Sequence, residues 1–225
     1  MQVLLFDIDG TLVNTGGAGG AALRTAFCDA FNLDDAGNVP FSGRTDRAIV
    51  RSFFHLHGME PSDENWWRVR NTYIQRLPEF MPRRQGHVLP GVRKLLDTLH
   101  ERENTALGLL TGNLRDGAHI KLRFYDLDHY FPFGGFGDEH HERDDVAREA
   151  LRAALAYVNG HASTHQVWVI GDTPLDVACG RAIGARVLAV ATGIHPLDEL
   201  VAASPDLLLD DLTDTARILE CLERR

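Results

Sequence analysis

Short apolar runs alternate with segments of helical periodicity along most of the 225-residue chain, and this alternation restricts the fold more than any other feature. Apolar runs of this length, separated by helical segments, are typical of buried parallel strands connected by helices. The runs that fit a strand cover residues 3–8, 105–110, 167–170, 186–191 and 206–209, with a weaker one over 131–136. The pattern predicts an α/β fold built on a doubly wound, Rossmann-like parallel sheet.

One stretch interrupts the alternation. Between residues 15 and 85 the apolar residues recur at helical spacing, and no strand pattern intervenes. We therefore predict two domains, an α/β catalytic core formed by residues 1–14 and 86–225 and an inserted all-helical cap formed by residues 15–85. The glycine-rich segment 16–20 and the segment 82–90 would be its hinges, and the cap would cover the carboxyl ends of the core strands.

Charge and cysteine content exclude several classes of protein. Asp and Glu number 32 against 23 Lys and Arg, which gives a net charge of −9, and the basic residues form no cluster, so nucleic acid is not expected as a partner. The three cysteines are widely spaced, which argues against a disulfide framework or a zinc ribbon and fits a reducing cytoplasm. No signal-peptide pattern and no apolar stretch near the ~20 residues that span a bilayer are present. We expect a cytoplasmic protein without a membrane partner, either a monomer or a homodimer.

Polar motifs follow three of the predicted strands. They are Asp7-Ile8-Asp9-Gly10-Thr11, Thr111-Gly112-Asn113 and Gly171-Asp172-Thr173-Pro174, the last with Asp176 close behind. Each motif alone is typical of a turn or a helix start. Because ligands of open α/β sheets bind at the carboxyl ends of the strands, the motifs together predict carboxylates and a hydroxyl at one edge. Their mutual repulsion would destabilise the fold unless a cation offset it.

These motifs, with a basic residue before the last of them, resemble the haloacid dehalogenase superfamily of phosphatases, over residues 3–209. The helical insert resembles the cap of the phosphoglycolate phosphatase-like branch, and Ser42-Gly43-Arg44-Thr45-Asp46 is similar to a Gly-[Arg/Lys]-Thr-Asp loop of that branch. The resemblance implies a Mg²⁺-dependent phosphomonoester hydrolase that acts through an aspartyl phosphate. Its substrate would be a small phosphorylated metabolite, similar to phosphoglycolate.

The resemblance also implies a role for each motif residue. Asp7 would be the nucleophile, and Asp9 would protonate the leaving alcohol and later deprotonate water. Magnesium would be held by the carboxylates of Asp7 and Asp172 and by the backbone carbonyl of Asp9, with Asp176 in a supporting position. Thr111 would hold the phosphoryl oxygens. The further substrate-binding positions are Gly10, Thr11, Gly112, Asn113 and Arg44.

The basic residue is the main departure from the family pattern. The family usually has a lysine there, but the two lysines of this chain, Lys94 and Lys121, lie outside the expected loop. Arg143 occupies the expected position and would neutralise the phosphoryl charge, with Arg148 as the alternative. Arg44 would bind an acidic leaving group, or alternatively pair with an acid of the cap such as Asp46.

Other activities remain as alternatives. A phosphosugar mutase of the same superfamily would share both aspartates of the first motif, but Gly171-Asp172 stands where such mutases have Glu-Asp. A dehalogenase would not need Asp9. From another class, a phospho-accepting signalling domain would carry its aspartate after a middle strand and lack the cap, and a non-catalytic binding module would have lost one of the aspartates. The histidine pairs, His140 with His141 and His161 with His165, are not expected to bind a metal.

Overall fold

The computed structural model describes residues 1–159 and 166–223, so that His161 and His165 lie outside the described residues. The strands are β1 (Gln2–Phe6), β2 (Val13–Asn14), β3 (His87–Val88), β4 (Thr105–Leu110), β5 (Gly134–Gly135), β6 (Val167–Gly171), β7 (Arg186–Val190) and β8 (Leu207–Leu209). The α-helices are α1 (Ala18–Phe31), α2 (Asp46–Leu56), α3 (Asp63–Phe80), α4 (Val92–His100), α5 (Arg115–Phe124), α6 (Arg143–Tyr157), α7 (Pro174–Ala182), α8 (Leu197–Ala203) and α9 (Thr215–Glu223).

Six strands form one parallel sheet in the order β5-β4-β1-β6-β7-β8. The predicted α/β fold with a doubly wound sheet is thereby confirmed, although the weak segment 131–136 contributes only Gly134 and Gly135. The strand order reverses direction around β1, which has β4 on one side and β6 on the other. In sheets of this kind the cleft for a ligand lies at that point, beyond the carboxyl end of the central strand.

The central strand is buried on both faces, which explains why its sequence is continuously apolar. Leu4 and Phe6 face one hydrophobic cluster, which includes side chains of α4 and α5. Val3 and Leu5 face the other cluster, which includes side chains of α6 and α7. Among the residues that the structure describes, no helix combines the length and the apolar character needed to cross a membrane.

Helices α1 to α3 follow one another without a strand of the main sheet between them. They share an aromatic centre in which Phe27 of α1 lies 5.1 Å from Phe53 and 5.3 Å from Phe54 of α2, measured between ring centroids. The hydroxyl of Thr45 caps α2 by accepting a hydrogen bond from the Ala48 amide at 3.1 Å. These contacts give the inserted helices a hydrophobic centre continuous with the main core.

A two-stranded antiparallel ribbon joins the ends of the helical insert. Val13 and Asn14 of β2 pair with Val88 and His87 of β3. The sequence analysis did not predict this ribbon, because two residues are too few to show a strand period. The ribbon holds the chain entering the insert beside the chain leaving it, next to the carboxyl end of β1.

Candidate active site

The first motif turns sharply out of the central strand. The amide of Asp7 still continues the sheet by donating to the Ile170 carbonyl at 2.9 Å. Gly10 then adopts a φ of 90°, and a Cβ atom there would lie 2.3 Å from the nearer carboxylate oxygen of Asp172. Only glycine combines this conformation with so close an approach. The turn therefore brings the end of β1 against the end of β6.

Three buried carboxylates meet where these strands end. Asp7, Asp172 and Asp176 each offer an oxygen atom, and these atoms lie within 4.8 Å of one another. Asp176 is fixed by a capping box at the start of α7, where its Oδ2 accepts the amides of Thr173 at 3.0 Å and of Asp172 at 3.2 Å. The sequence motif Gly-Asp-Thr-x-x-Asp thus both starts a helix and orients an acid.

Arg143 joins this cluster from the first turn of α6. Its buried guanidinium donates to Asp176 Oδ1 and, at 3.5 Å, to Asp7 Oδ1. Arg148, the alternative basic residue, has a half-exposed side chain and pairs with Asp145 at 2.6 Å. The two arginines proposed from the sequence are therefore distinguished by position, since Arg143 contacts the carboxylates and Arg148 lies on the surface.

Burial and neighbouring charges raise the pKa values of Asp7 and Asp172. Burial raises the pKa of Asp7 to about 7, against the opposing effect of Arg143 and with further increases from Asp176 and Asp9. Burial, followed by the charges of Asp176 and Asp7, raises the pKa of Asp172 well above its ordinary value. Both carboxyls thus resist ionisation together, because one guanidinium does not offset three buried negative charges.

This arrangement suits a cation that prefers oxygen ligands. The cluster consists of carboxylates, and a Cβ atom at Gly193 would lie 1.8 Å from Asp172 Oδ2, so the glycines at positions 10 and 193 let the Asp172 carboxylate fit between two backbone segments. Hard oxygen donors in a small buried site match the coordination of Mg²⁺. The residues present therefore fit the ion that the sequence analysis expected.

The carboxylate of Asp9 has different neighbours. Its Oδ2 accepts from Asn113 Nδ2 at 2.8 Å and from Lys121 Nζ at 2.5 Å, and its Oδ1 accepts from the Thr15 hydroxyl at 3.4 Å. Burial raises the pKa of Asp9, but the charge of Lys121 and the hydrogen bonds from Lys121, Asn113 and Thr15 outweigh it, so the pKa lies below its ordinary value. Asp7 and Asp9 therefore have opposite pKa shifts although one residue separates them.

The sequence analysis missed Lys121 because it considered lysines only in the loop before the Gly171 motif. The signal was present on α5, where Lys121 shares the buried face with Gly117, Ala118 and Leu122. A lysine on the apolar face of a helix is unusual unless its ammonium has a partner. Here the helix follows the Thr-Gly-Asn motif directly, so that its buried face carries the ammonium back to the strand ends.

The hydroxyls of the motifs support the acids. Thr11 donates to Asp172 Oδ1 at 2.9 Å, and a hydrogen bond from Thr111 lowers the pKa of Asp7. The Thr111 hydroxyl oxygen also accepts from Asn113 Nδ2 at 2.8 Å. The predicted site residues Thr11, Thr111 and Asn113 thus each contact one of the carboxylates, Asp172, Asp7 and Asp9 respectively.

The cap touches the second motif through its backbone. The amide of Asp46 donates to the Gly112 carbonyl at 2.7 Å, and Asp46 Oδ2 accepts from the Leu114 amide at 2.9 Å. A Cβ atom at Gly112 would lie 2.2 Å from the carbonyl oxygen of Arg44, so the loop 42–46 approaches this strand end as closely as glycine permits.

The guanidinium of Arg44 forms its hydrogen bonds inside the cap. It donates to the carbonyl oxygens of Pro40 and Ala48, each at 3.1 Å, and to the Ser52 hydroxyl at 3.0 Å. The alternative partner considered from the sequence, Asp46, instead accepts from the Leu114 amide. Arg44 also lines the central cavity, which is compatible with a contact to the leaving group. That contact stays a prediction.

A cavity of about 420 Å³ lies between the cap and the strand ends. Its walls come from both parts of the chain. The core residues that carry polar groups into it include Asp7, Asp9, Thr111, Asn113, Lys121, Arg143 and Asp172. The size suits a small molecule rather than a polymer.

Residues 4–190 match the sequence model of a family described as haloacid dehalogenase-like hydrolases. The chain is 28% identical to a phosphoglycolate phosphatase from Synechococcus elongatus, over the full length of both proteins. It is 23% identical to a pyrophosphatase from Bacillus cereus, over all of this chain and 99% of that protein. Among solved structures, a hydrolase from Pseudomonas syringae is 24% identical and has a TM-score of 0.72 over 98% of both chains, which shows a common fold.

Proposed function

The chain belongs to the haloacid dehalogenase-like hydrolases and is a phosphatase, and from this we propose that it is a Mg²⁺-dependent hydrolase of small phosphate monoesters that forms an aspartyl phosphate on Asp7. The observation that carries the proposal is the position of two carboxylates at one strand end in opposite surroundings. Asp7 lies with Asp172, Asp176 and Arg143, whereas Asp9 lies with Asn113 and Lys121.

The proposed reaction has two displacements at phosphorus. A carboxylate oxygen of Asp7 attacks phosphorus, and the bond from phosphorus to the ester oxygen breaks while Asp9 gives a proton to that oxygen. In the second step Asp9 takes a proton from water, the water oxygen attacks phosphorus, and the carboxylate of Asp7 leaves as inorganic phosphate forms. The pair thus divides covalent catalysis and proton transfer between two side chains.

The residues around Asp7 would neutralise the charge of the phosphoryl group. Arg143 is buried with its guanidinium between Asp7 and Asp176, and Thr111 offers a hydroxyl beside Asp7. The carboxylates of Asp7 and Asp172 and the backbone carbonyl of Asp9 would hold Mg²⁺, with Asp176 orienting Arg143. When bound, the ion supplies positive charge that offsets the repulsion between the attacking carboxylate and the phosphoryl oxygens.

Gly171 favours hydrolysis over the mutase alternative. A Cβ atom at Gly171 would lie 2.4 Å from Cβ of Asp176, so a glutamate side chain has no room there. The mutase interpretation expects such a glutamate before Asp172. Water, rather than a second sugar hydroxyl, is therefore the proposed acceptor of the phosphoryl group.

The proposed substrate is a small phosphorylated metabolite similar to phosphoglycolate. The cavity of about 420 Å³ limits its size. Two relatives support a small anionic substrate by their names, a phosphoglycolate phosphatase and a pyrophosphatase. Loss of phosphate from either named compound would release a small anion.

The proposal is tested by measuring phosphate release from a panel of phosphorylated metabolites with Mg²⁺ and with chelator. We expect turnover of small anionic esters that disappears with chelator. Asp7→Asn should keep the fold and lower kcat by at least a thousandfold, because an amide cannot serve as the nucleophile. Turnover by Asp7→Asn within tenfold of the parent would exclude Asp7 as the nucleophile.

A further inference from the structure

Lys121 is a buried cation that the proposed mechanism does not use. Its ammonium lies 2.5 Å from Asp9 Oδ2 and 2.5 Å from Asn113 Oδ1, and the residue is 3% exposed. An ammonium has three N–H donors, and these two contacts use two of them. One donor remains for a ligand in the cavity that Lys121 lines.

The side chain of Lys121 packs closely against a glycine of the cap. A Cβ atom at Gly19, on α1, would lie 2.9 Å from Lys121 Nζ and 3.0 Å from Cε. Gly19 and Lys121 both line the central cavity. Because Gly19 has no side chain, the lysine side chain can pack against the backbone of α1 and keep its ammonium at the cavity wall.

The position of Asp9 determines which part of a substrate would reach Lys121. To protonate the ester oxygen, the Asp9 carboxyl must lie within about 3 Å of it. The group attached to that oxygen then lies beside Asp9, and therefore beside the ammonium. Two other cations among the described residues line the cavity. Arg143 contacts Asp7 on the phosphoryl side, and Arg44 donates to acceptors within the cap. Lys121, which contacts Asp9, is therefore the cation of the three that lies closest to the leaving group.

We propose that Lys121 binds an anionic group on the leaving group, carboxylate or phosphate, and so selects esters that carry this group one or two bonds from the ester oxygen. This inference rests on the proposed function, since it uses Asp9 to position the leaving group. It assigns Lys121 to substrate specificity rather than to the phosphoryl transfer itself.

The test measures binding without turnover. In an Asp7→Asn background with Mg²⁺, calorimetry gives Kd for 2-phosphoglycolate, for pyrophosphate and for 2-hydroxyethyl phosphate, a neutral counterpart of 2-phosphoglycolate. Lys121→Met keeps the length of the side chain and removes its charge. We expect its Kd for at least one anionic ligand to rise tenfold or more while the Kd for 2-hydroxyethyl phosphate changes less than threefold. The ligand affected identifies carboxylate or phosphate as the bound group.

Two variants control for structure. Lys94→Met changes the other lysine of the chain, which is exposed on α4, and should alter none of the constants. Gly19→Ala keeps Lys121 but puts a methyl group beside its ammonium, and alanine is well tolerated in a helix. It should raise the Kd of the same anionic ligand at least threefold, which tests the inference even if Lys121→Met fails to fold.

Equal weakening of the anionic and neutral ligands by Lys121→Met would overturn the inference, because that result indicates a structural role in holding Asp9. Unchanged binding in both Lys121→Met and Gly19→Ala would overturn it too, as would failure of the Lys121 parent to bind any of the three ligands. Failure of the proposed function has a different signature, since the protein with Asp7 intact would then release no phosphate from an ester that it binds.

Discussion

At the residue scale, the site depends on the neighbours of each carboxylate more than on the carboxylates themselves. Asp7 lies among acids, and its pKa rises to about 7, chiefly through burial. The side chain of Asp9 is more exposed than that of Asp7, at 40% against 11%, and Lys121 and Asn113 lower its pKa below the ordinary value. Two aspartates on one turn therefore differ in protonation near neutral pH. Without a cation these shifts run opposite to the proposed roles, because Asp7 must be ionised to attack phosphorus and Asp9 must carry a proton to donate it. Positive charge at the carboxylate cluster would lower the pKa of Asp7, and the negative charge of a bound phosphoryl group would raise that of Asp9.

Alanine replacements should distinguish the role of Arg143 from that of Arg148. Arg143→Ala leaves Asp7 and Asp176 without their guanidinium in a buried site, so kcat should fall at least tenfold. Arg148→Ala removes an exposed pair with Asp145 and should leave kcat within twofold. Steady-state phosphate release measures both. The opposite ranking would assign the phosphoryl contact to Arg148.

Asp46 should make the folding stability depend on pH. Burial raises its pKa to about 6, partly offset by Lys121 and by the Leu114 amide. A raised carboxyl pKa means that the folded state binds more protons than the unfolded state between about pH 4 and 6, so this residue's contribution to stability falls as pH rises through that window. Asp46→Asn keeps an acceptor for Leu114 and should be more stable than the parent by roughly 1 to 3 kcal/mol at pH 8, and by much less at pH 4.

Urea unfolding at both pH values measures this difference. Asp63→Asn is the control, because Asp63 also lies in the first helical turn but is exposed, at 81% for its side chain. Asp63 pairs with Arg47 on the surface at 2.8 Å, so its replacement should change stability by less than about 1 kcal/mol at either pH and should give no gain at pH 8. A stability gain in Asp46→Asn that is the same at both pH values would contradict the assigned pKa.

Most site residues could be predicted because each of them directly follows a strand in the sequence. Asp7, Thr111 and Asp172 each follow an apolar run, and parallel strands bring such ends together. Lys121 could not be assigned in the same way, since its contact with Asp9 spans 112 positions and depends on which face of α5 is buried. The partners of Arg44 likewise depend on side-chain orientation within the cap, which no sequence spacing specifies.

At the element scale, the cap loop and the second motif fit together through their backbones. Thr45 caps α2 with its backbone carbonyl and hydroxyl, and its hydroxyl also donates to the His141 carbonyl at 3.2 Å. The next residue, Asp46, bonds to Gly112 and Leu114. The start of one cap helix is thus hydrogen-bonded to two loops of the core that carry site residues.

Gly112→Ala should therefore prevent close approach of the cap. The added methyl would meet the Arg44 carbonyl at 2.2 Å, and backbone atoms on both sides leave little freedom to adjust. We expect kcat/KM for the best substrate to fall at least tenfold because the cavity would no longer close. Gly58→Ala is the matched control, since its cap turn has a φ of 61° and nothing within 4 Å. It should lower stability by about 1 kcal/mol without changing kcat/KM.

At the scale of the whole molecule, strand and helix order followed from periodicity, whereas the ribbon of β2 and β3 did not. The main strands are buried runs long enough to show a pattern, as in Thr105–Leu110. Val13–Asn14 and His87–Val88 pair over two residues each, and their pairing depends on the inserted helices returning the chain to its starting point. Such long-range closure is a property of the assembled fold.

The carboxylate cluster should couple metal binding to the stability of the whole fold. Without a cation the raised pKa values of Asp7 and Asp172 make the folded state bind more protons than the unfolded state above about pH 4, so stability falls as pH rises toward 7 and beyond. Mg²⁺ at about 100 times its Kd would restore roughly 2.7 kcal/mol, since it binds the folded state. For a chain of this length that corresponds to a rise in Tm of roughly 5 to 11 °C.

Calorimetry at pH 8, with chelator and with Mg²⁺, measures this rise. Asp172→Asn removes one of the repelling charges and keeps an acceptor for the Thr11 hydroxyl, so its Tm in chelator should exceed that of the parent. The same variant should lose most of the shift caused by Mg²⁺, because it lacks a carboxylate of the cluster. An equal Mg²⁺ shift in Asp172→Asn and in the parent would place the ion elsewhere, and no shift in the parent would contradict a cation site at these strand ends.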